Sequence, residues 1–261
     1  MPHGSPTLRA EGDTPQPGDD ESTVVTSPRS PAARRWRLAA TTAIAGATGF
    51  VTLALLMPRA TIAEFDGAVL RAMRRLDDPN LPIGGRLIAD GARDVTALGG
   101  TLVLALVVVF VAGYFAFDRR GRDAVAVLAT SIGGGCACIA LKLAFGRDRP
   151  DVVPHLMVVD SDSFPSGHAM LSAVIYCTLG ALLARFAKHR GAQVLPIVGA
   201  MLLTFLVGCS RLVLGVHYPT DVLAGWTAGA TWAALSWLAV DRLARQHTIE
   251  GRERDSPPRV D

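Results

Sequence analysis

The 261-residue sequence is poor in charge and in aromatic side chains: 19% of its residues are Asp, Glu, Lys or Arg, and 6% are Phe, Trp or Tyr. Lysine is almost absent. Of 26 basic residues only Lys142 and Lys188 are lysines, and the net charge is +3. That balance gives no basic surface of the kind that holds nucleic acid. Four cysteines are present, Cys136, Cys138, Cys177 and Cys209, and no two form a Cys-x-x-Cys pair. Neither a zinc site nor a disulfide framework is therefore expected, and the four read as small packing residues. No repeat of fixed period occurs, and the apolar runs do not alternate with polar residues as barrel strands do.

What the chain does have is long uncharged stretches. They lie between Arg37 and Arg59, Asp94 and Asp118, Asp123 and Lys142, Asp162 and Arg185, Arg190 and Arg211, and Asp221 and Asp241, and run from 18 to 23 residues. A helix crosses a bilayer with about 20 mostly apolar residues, and the mean hydropathy is +0.33. The pattern predicts an all-α polytopic membrane protein, with six transmembrane helices over residues 36–241. Residues 1–35 carry six prolines and few large apolar side chains, so they read as a disordered tail. This segment is too long and too acidic for the start of a signal peptide, and the first apolar window is expected to be a retained helix. Residues 242–261 form a second charged tail. Within 59–94, Phe65, Val69, Leu70, Met73 and Leu76 recur at helical spacing among Asp66, Arg71, Arg74 and Arg75. That fits an amphipathic helix lying on the membrane surface, with a solvated loop as the alternative. With the N-terminus inside, 16 of the 26 cations fall on the cytoplasmic side and 10 outside. The rule that Lys and Arg stay inside then places both termini in the cytoplasm.

Three polar clusters close on one face. Lys142 and Arg149-Pro150 end the third span, Pro165-Ser166-Gly167-His168 opens the fourth, and Ser210-Arg211 with His217-Tyr218-Pro219-Thr220-Asp221 joins the fifth to the sixth. Ionisable groups at span ends are costly unless paired or functional, and this set suits a phosphate ester. Lys142, Arg149 and Arg211 supply charge and donors for phosphoryl oxygens. Ser166 and Gly167 stand at a helix start, where unpaired N–H groups form an anion site. His217 and Asp221 are one helical turn apart, so the carboxylate can fix the imidazole tautomer and leave the other nitrogen nucleophilic. His168 is then the general acid for the leaving group.

These clusters resemble the three-part signature of the type 2 phosphatidic acid phosphatase superfamily. That superfamily takes in membrane lipid phosphatases and, more distantly, soluble acid phosphatases and vanadium haloperoxidases. Its pattern is Lys, six residues, Arg-Pro, then Pro-Ser-Gly-His, then Ser-Arg, five residues, His, three residues, Asp. All three parts match, and the resemblance covers about residues 38–240. It implies that His217 attacks phosphorus and becomes phosphorylated, with Asp221 orienting it. It also implies that His168 protonates the leaving oxygen and then activates water. Lys142, Arg149, Ser166, Gly167 and Arg211 would hold the phosphate. No metal or other cofactor is implied, and Asp148, Asp151, Asp160 and Asp162 lack convincing ligand spacing, leaving a surface cation as the alternative.

The expected function is hydrolysis of a lipid phosphate or diphosphate at the extracytoplasmic ends of spans three to six, in the plasma membrane. A polyprenyl diphosphate such as undecaprenyl diphosphate comes first, then phosphatidic acid and phosphatidylglycerol phosphate. The alternatives are a lipid phosphotransferase using the same phosphohistidine and a non-catalytic membrane binding or transport protein. Arg147 reads as meeting Asp148, Asp151 or lipid headgroups, with a phosphate ligand as the alternative. Ser210 either supports the site or makes a helix-terminal hydrogen bond. Gly133-Gly134-Gly135 and the pair Gly225 and Gly229 read as surfaces where helices approach closely. His155 and His189 read as exposed loop residues.

Overall fold

The computed structural model describes residues 31–254. Eight helices follow in order: α1 (Pro31–Leu56), α2 (Ala60–Ala72), α3 (Gly85–Ala97), α4 (Thr101–Phe117), α5 (Gly121–Phe145), α6 (Gly167–Phe186), α7 (Arg190–Val213) and α8 (Pro219–Arg254). Among the described residues there is no strand, only an isolated bridge between Arg74 and Pro82. The tail expected over residues 1–35 lies outside the described residues as far as residue 30. Helix α1 begins at Pro31, a residue that suits a first helical position because its missing N–H would have no partner there. Beyond Arg242, α8 stays helical to Arg254, and residues 255–261 lie outside the described residues.

Five helical stretches are long and apolar enough to cross a bilayer: Ala32–Leu56, Gly85–Phe117, Gly121–Phe145, Gly167–Phe186 and Arg190–Val213. The sequence predicts six. The difference lies in α8, which is long enough but is diluted by Trp, Thr, Gly and Ser in its apolar half. The second stretch is also longer than the uncharged window from Asp94 to Asp118, because α3 runs into α4 with only a short Gly99-Gly100 break.

Apolar side chains explain how these helices sit together. Leu104, Val108 and Phe115 of α4, Val127 of α5 and Val174 of α6 form a buried core. The outward faces carry large apolar groups in the open, among them Ile44, Val109, Phe110, Leu195 and Leu202. A soluble chain rarely leaves so much apolar surface bare, whereas a bilayer requires it. Helix α8 packs on both α1 and α6. Where it crosses α6, a Cβ on Gly225 would stand 2.7 Å from the Ser166 carbonyl oxygen, and one on Gly229 would stand 2.5 Å from that of Met170. Only glycine permits that approach, and it sets the starts of α6 and α8 side by side. This crossing places the polar clusters at one end of the bundle.

The segment from 59 to 94 holds α2 and the beginning of α3. Helix α2 stops at Ala72, so Leu76 lies past its end, and its buried face is Asp66, Gly67 and Leu70. Phe65 is exposed. The inward side of this short helix therefore carries a carboxylate as well as an apolar side chain.

Candidate active site

The centre of the polar end is His217, which is 1% exposed and precedes α8. One Arg149 terminal nitrogen lies 3.2 Å from His217 Nε2. A guanidinium can only donate, so Nε2 offers its lone pair and the ring proton sits on Nδ1. There the Ser163 hydroxyl is 3.3 Å away and Asp221 Oδ2 is 3.5 Å away. Ser163 in turn donates to Asp221 Oδ2 in a short hydrogen bond. The proton path behind the ring is thus Nδ1–H to the serine oxygen and serine O–H to the carboxylate. Burial is the main influence on His217 and pulls its pKa down to about 4. The hydrogen bond and charge of Asp221 oppose that fall, while Arg149 and Arg211 add to it. The ring is neutral at pH 7, the state a nitrogen nucleophile needs.

Asp221 lies in the first turn of α8, where a carboxylate complements the helix dipole. Its Oδ2 accepts the Tyr218 N–H at 2.9 Å, so it caps the helix it belongs to. Its Oδ1 accepts from Arg147 at 2.6 Å.

The phosphate-binding candidates come from three connections. Gly146 ends α5 with a positive φ of 53° and its N–H on the Lys142 carbonyl, a turn that suits glycine. This turn sends Arg147 and Arg149 back over the bundle. Arg149 is anchored by the Ser161 carbonyl at 2.6 Å and the Val216 carbonyl at 2.6 Å. Lys142 donates to the Asp162 carbonyl in a short bond. Ser166 holds the N-cap position of α6 without a side-chain cap bond, and its N–H donates to the Asp221 carbonyl at 3.0 Å. The first intrahelical bond runs from Met170 N–H to the Ser166 carbonyl, so the N–H groups of Gly167, His168 and Ala169 are the orphan donors of that helix start. Arg211, 1% exposed, donates to Thr96 Oγ1 at 2.8 Å and lies 3.1 Å from Met157 Sδ. His168 stands within electrostatic reach of Arg211, His217, Arg149 and Lys142.

Among the described residues, Ser166 Oγ and Arg211 Nε are buried with no hydrogen-bond partner. Buried polar atoms are nearly always satisfied, and here two donors at one site are unspent. Beside Arg149 opens a pocket of about 230 Å³, lined by Arg147, Asp148, Val159, Asp160, Ser161 and Asp162 as well. No group of three or more His, Cys, Asp and Glu side chains among the described residues has the geometry to hold a metal ion.

Some residues sit otherwise than the sequence suggests. Arg147 meets neither Asp148 nor Asp151. It bridges Asp221 and Asp66, 2.6 and 2.9 Å away, and stacks over the Tyr218 ring. Burial works against its charge, but the two carboxylates outweigh that and raise its pKa. Ser210 takes the second of its two readings and donates to the Val207 carbonyl within its own helix. Ser163, Asp66 and Thr96 lie outside the three clusters, and Thr220, within the third, has no role in the motif reading. Ser163 lies only three residues before Ser166, but no local pattern singles it out.

A helical membrane bundle that gathers two histidines, two carboxylates and four cations at one end suits the class of membrane proteins that handle phosphate esters. The PAP2 superfamily matches residues 123–245. Phosphatidylglycerophosphatase B of Bacillus subtilis is 37% identical over 140 residues, covering 52% of this chain and 66% of that one. Decaprenylphosphoryl-5-phosphoribose phosphatase of Mycobacterium tuberculosis (strain CDC 1551 / Oshkosh) is 34% identical over 139 residues, covering 52% of this chain and 69% of that one. The crystal structure of a transmembrane PAP2-type phosphatidylglycerolphosphate phosphatase from Bacillus subtilis superposes with a TM-score of 0.70 at 25% identity, over 77% of this chain and 97% of that one. The chain belongs to the PAP2 superfamily, as a membrane protein of its lipid-phosphatase type.

Proposed function

We propose that this protein hydrolyses a phosphomonoester or diphosphate of a membrane lipid through a phosphohistidine on His217, without a metal ion. The observation that carries this reading is the set of contacts around the His217 ring: an Arg149 donor 3.2 Å from Nε2, and the Ser163 hydroxyl 3.3 Å from Nδ1 with Asp221 behind it, an arrangement that suits a lone pair on Nε2 and a proton on Nδ1. A phosphoryl oxygen entering the site takes over the Arg149 donor, and phosphorus then faces the freed lone pair. Nε2 forms a bond to phosphorus as the ester oxygen departs with a proton from His168. His168, now neutral, takes a proton from water, whose oxygen displaces Nε2 and releases phosphate. Lys142, Arg149, Arg211 and the α6 start with Ser166 and Gly167 balance the growing charge on the equatorial oxygens. The unspent Ser166 and Arg211 donors support that assignment.

In this reading α8 is a sixth crossing, both termini are cytoplasmic and the site opens at the outer leaflet of the plasma membrane. A lipid can then present its phosphate while its tails stay in the bilayer. A polyprenyl diphosphate is the first substrate to test, followed by phosphatidic acid and phosphatidylglycerol phosphate. The relatives' names span glycerolipid and polyprenyl phosphates. The test is phosphate release from these three lipids by purified protein in detergent with EDTA, beside His217→Ala. Release that survives EDTA and vanishes in the variant is expected. Release that needs added magnesium, or that persists without His217, would overturn the mechanism.

A further inference from the structure

Asp66 is 0% exposed on a short helix whose neighbouring carboxylate, Glu64, is exposed. A carboxylate buried without partners is strongly destabilising, so its partners show what it is for. Its Oδ1 accepts the Thr220 N–H at 3.1 Å and its Oδ2 the Thr220 hydroxyl at 2.6 Å. It thus satisfies one of the donors left over at the start of α8. The same Oδ2 accepts from Arg147 at 2.9 Å. The other arm of the Arg147 fork is spent on Thr220 Oγ1 at 2.8 Å and Asp221 Oδ1 at 2.6 Å. Below the guanidinium lies the Tyr218 ring, its centroid 4.3 Å away.

The consequence is a chain of contacts from the surface helix to the reacting nitrogen. Asp66 of α2 fixes Arg147, Arg147 fixes one oxygen of Asp221, and the other oxygen backs His217 through Ser163. Lys142, Arg149 and Arg211 have no carboxylate partner within ion-pair distance among the described residues, whereas Arg147 stands between two carboxylates. A guanidinium spent in that way has little left to offer an anion.

Resting on the phosphohistidine reading, we propose that Arg147 and Asp66 are positioning residues that act on the reaction only through Asp221. The alternative role for Arg147, a fourth phosphate ligand, makes a different prediction, and a mutant cycle separates the two. The variants Arg147→Gln, Arg147→Lys and Asp66→Asn are each made alone and together with Asp221→Asn. Kinetics are measured on phosphatidic acid in detergent micelles, with thermal unfolding to confirm that each variant is folded.

Misplacing a reacting group by about 1 Å costs on the order of 10²-fold, so Arg147→Gln should lower kcat by about 10–100-fold with KM within about twofold of wild type. Arg147→Lys keeps the charge but cannot fork between two carboxylates, and should fall in between. In the Asp221→Asn background each change should cost less than about twofold, because residues acting through one group are not additive. Full cost in that background, or a loss carried by KM, would overturn the proposal in favour of direct phosphate binding. Wild-type kcat in both Arg147→Gln and Asp66→Asn would also overturn it. If Asp221→Asn itself matched wild type, the phosphohistidine reading would fall instead, so the two failures are distinct.

Discussion

The chemistry of the site is set by how deeply His217 is buried. Nearly out of reach of solvent and flanked by Arg149 and Arg211, it resists taking a second proton although Asp221 stands behind it. Its pKa of about 4 lies below the ordinary histidine value, so protonation costs it the nucleophilic lone pair only as the pH falls through about 4. Nitrogen NMR of histidine-labelled, ligand-free protein should therefore show the His217 ring still neutral at pH 5. A ring that titrates near the ordinary value would contradict that environment. At His168 the prediction concerns the leaving group. General acid catalysis is worth roughly 10²–10⁴-fold and matters least when the leaving oxygen is already acidic. His168→Ala should lose most of its activity on a lipid phosphate and much less on p-nitrophenyl phosphate. Equal losses on both would remove His168 from the acid role.

At the scale of helices, the site depends on how closely α6 and α8 approach. A methyl group on Gly225 would meet the Ser166 carbonyl at 2.7 Å and the Ala169 Cβ at 2.9 Å. Gly225→Ala must push the two helix starts apart, and overpacking of this kind costs about 1–3 kcal/mol. We expect a lower unfolding temperature in detergent and a reduced kcat, because the crossing holds Ser166 against Asp221. A variant with unchanged stability and rate would show that the crossing can relax. The same elements explain how much of the site could be read from sequence. Lys142, Arg149, Ser166, His168, Arg211, His217 and Asp221 lie near helix ends, where spacing alone implies a shared face. Asp66 and Thr96 could not be read in that way. They reach the site from α2 and α3, and a helical wheel assigns Asp66 to the polar side of a surface helix. Only the fold turns that side inward. Ser163 is hidden for the opposite reason, since a serine in a loop carries no signal until a buried imidazole is beside it.

For the whole molecule, the uncharged windows foretold a bundle that keeps its polar groups at one end and shows apolar side chains elsewhere, and the helices follow them closely. Two details differ: α3, with four charged residues, joins α4 in one helical stretch from Gly85 to Phe117, and α8 is weaker in apolar character than its window suggests. Both differences reflect residues whose environment is set by neighbours, since the Trp and Gly of α8 are used for packing. Trp226 donates to the Thr204 carbonyl and Trp232 to that of Thr130, tying α8 to α7 and α5. The bundle thereby holds one buried imidazole, that of His217, at its polar end, and the proposed reaction requires that imidazole to carry the phosphoryl group. The most direct measurement is rapid mixing with phosphatidic acid labelled with ³²P, quenched in alkali, where phosphohistidine survives. Transient label is expected on the protein, mapping to the peptide that contains His217 and absent from His217→Ala. Turnover at the wild-type rate with no label on His217 at any mixing time would contradict it.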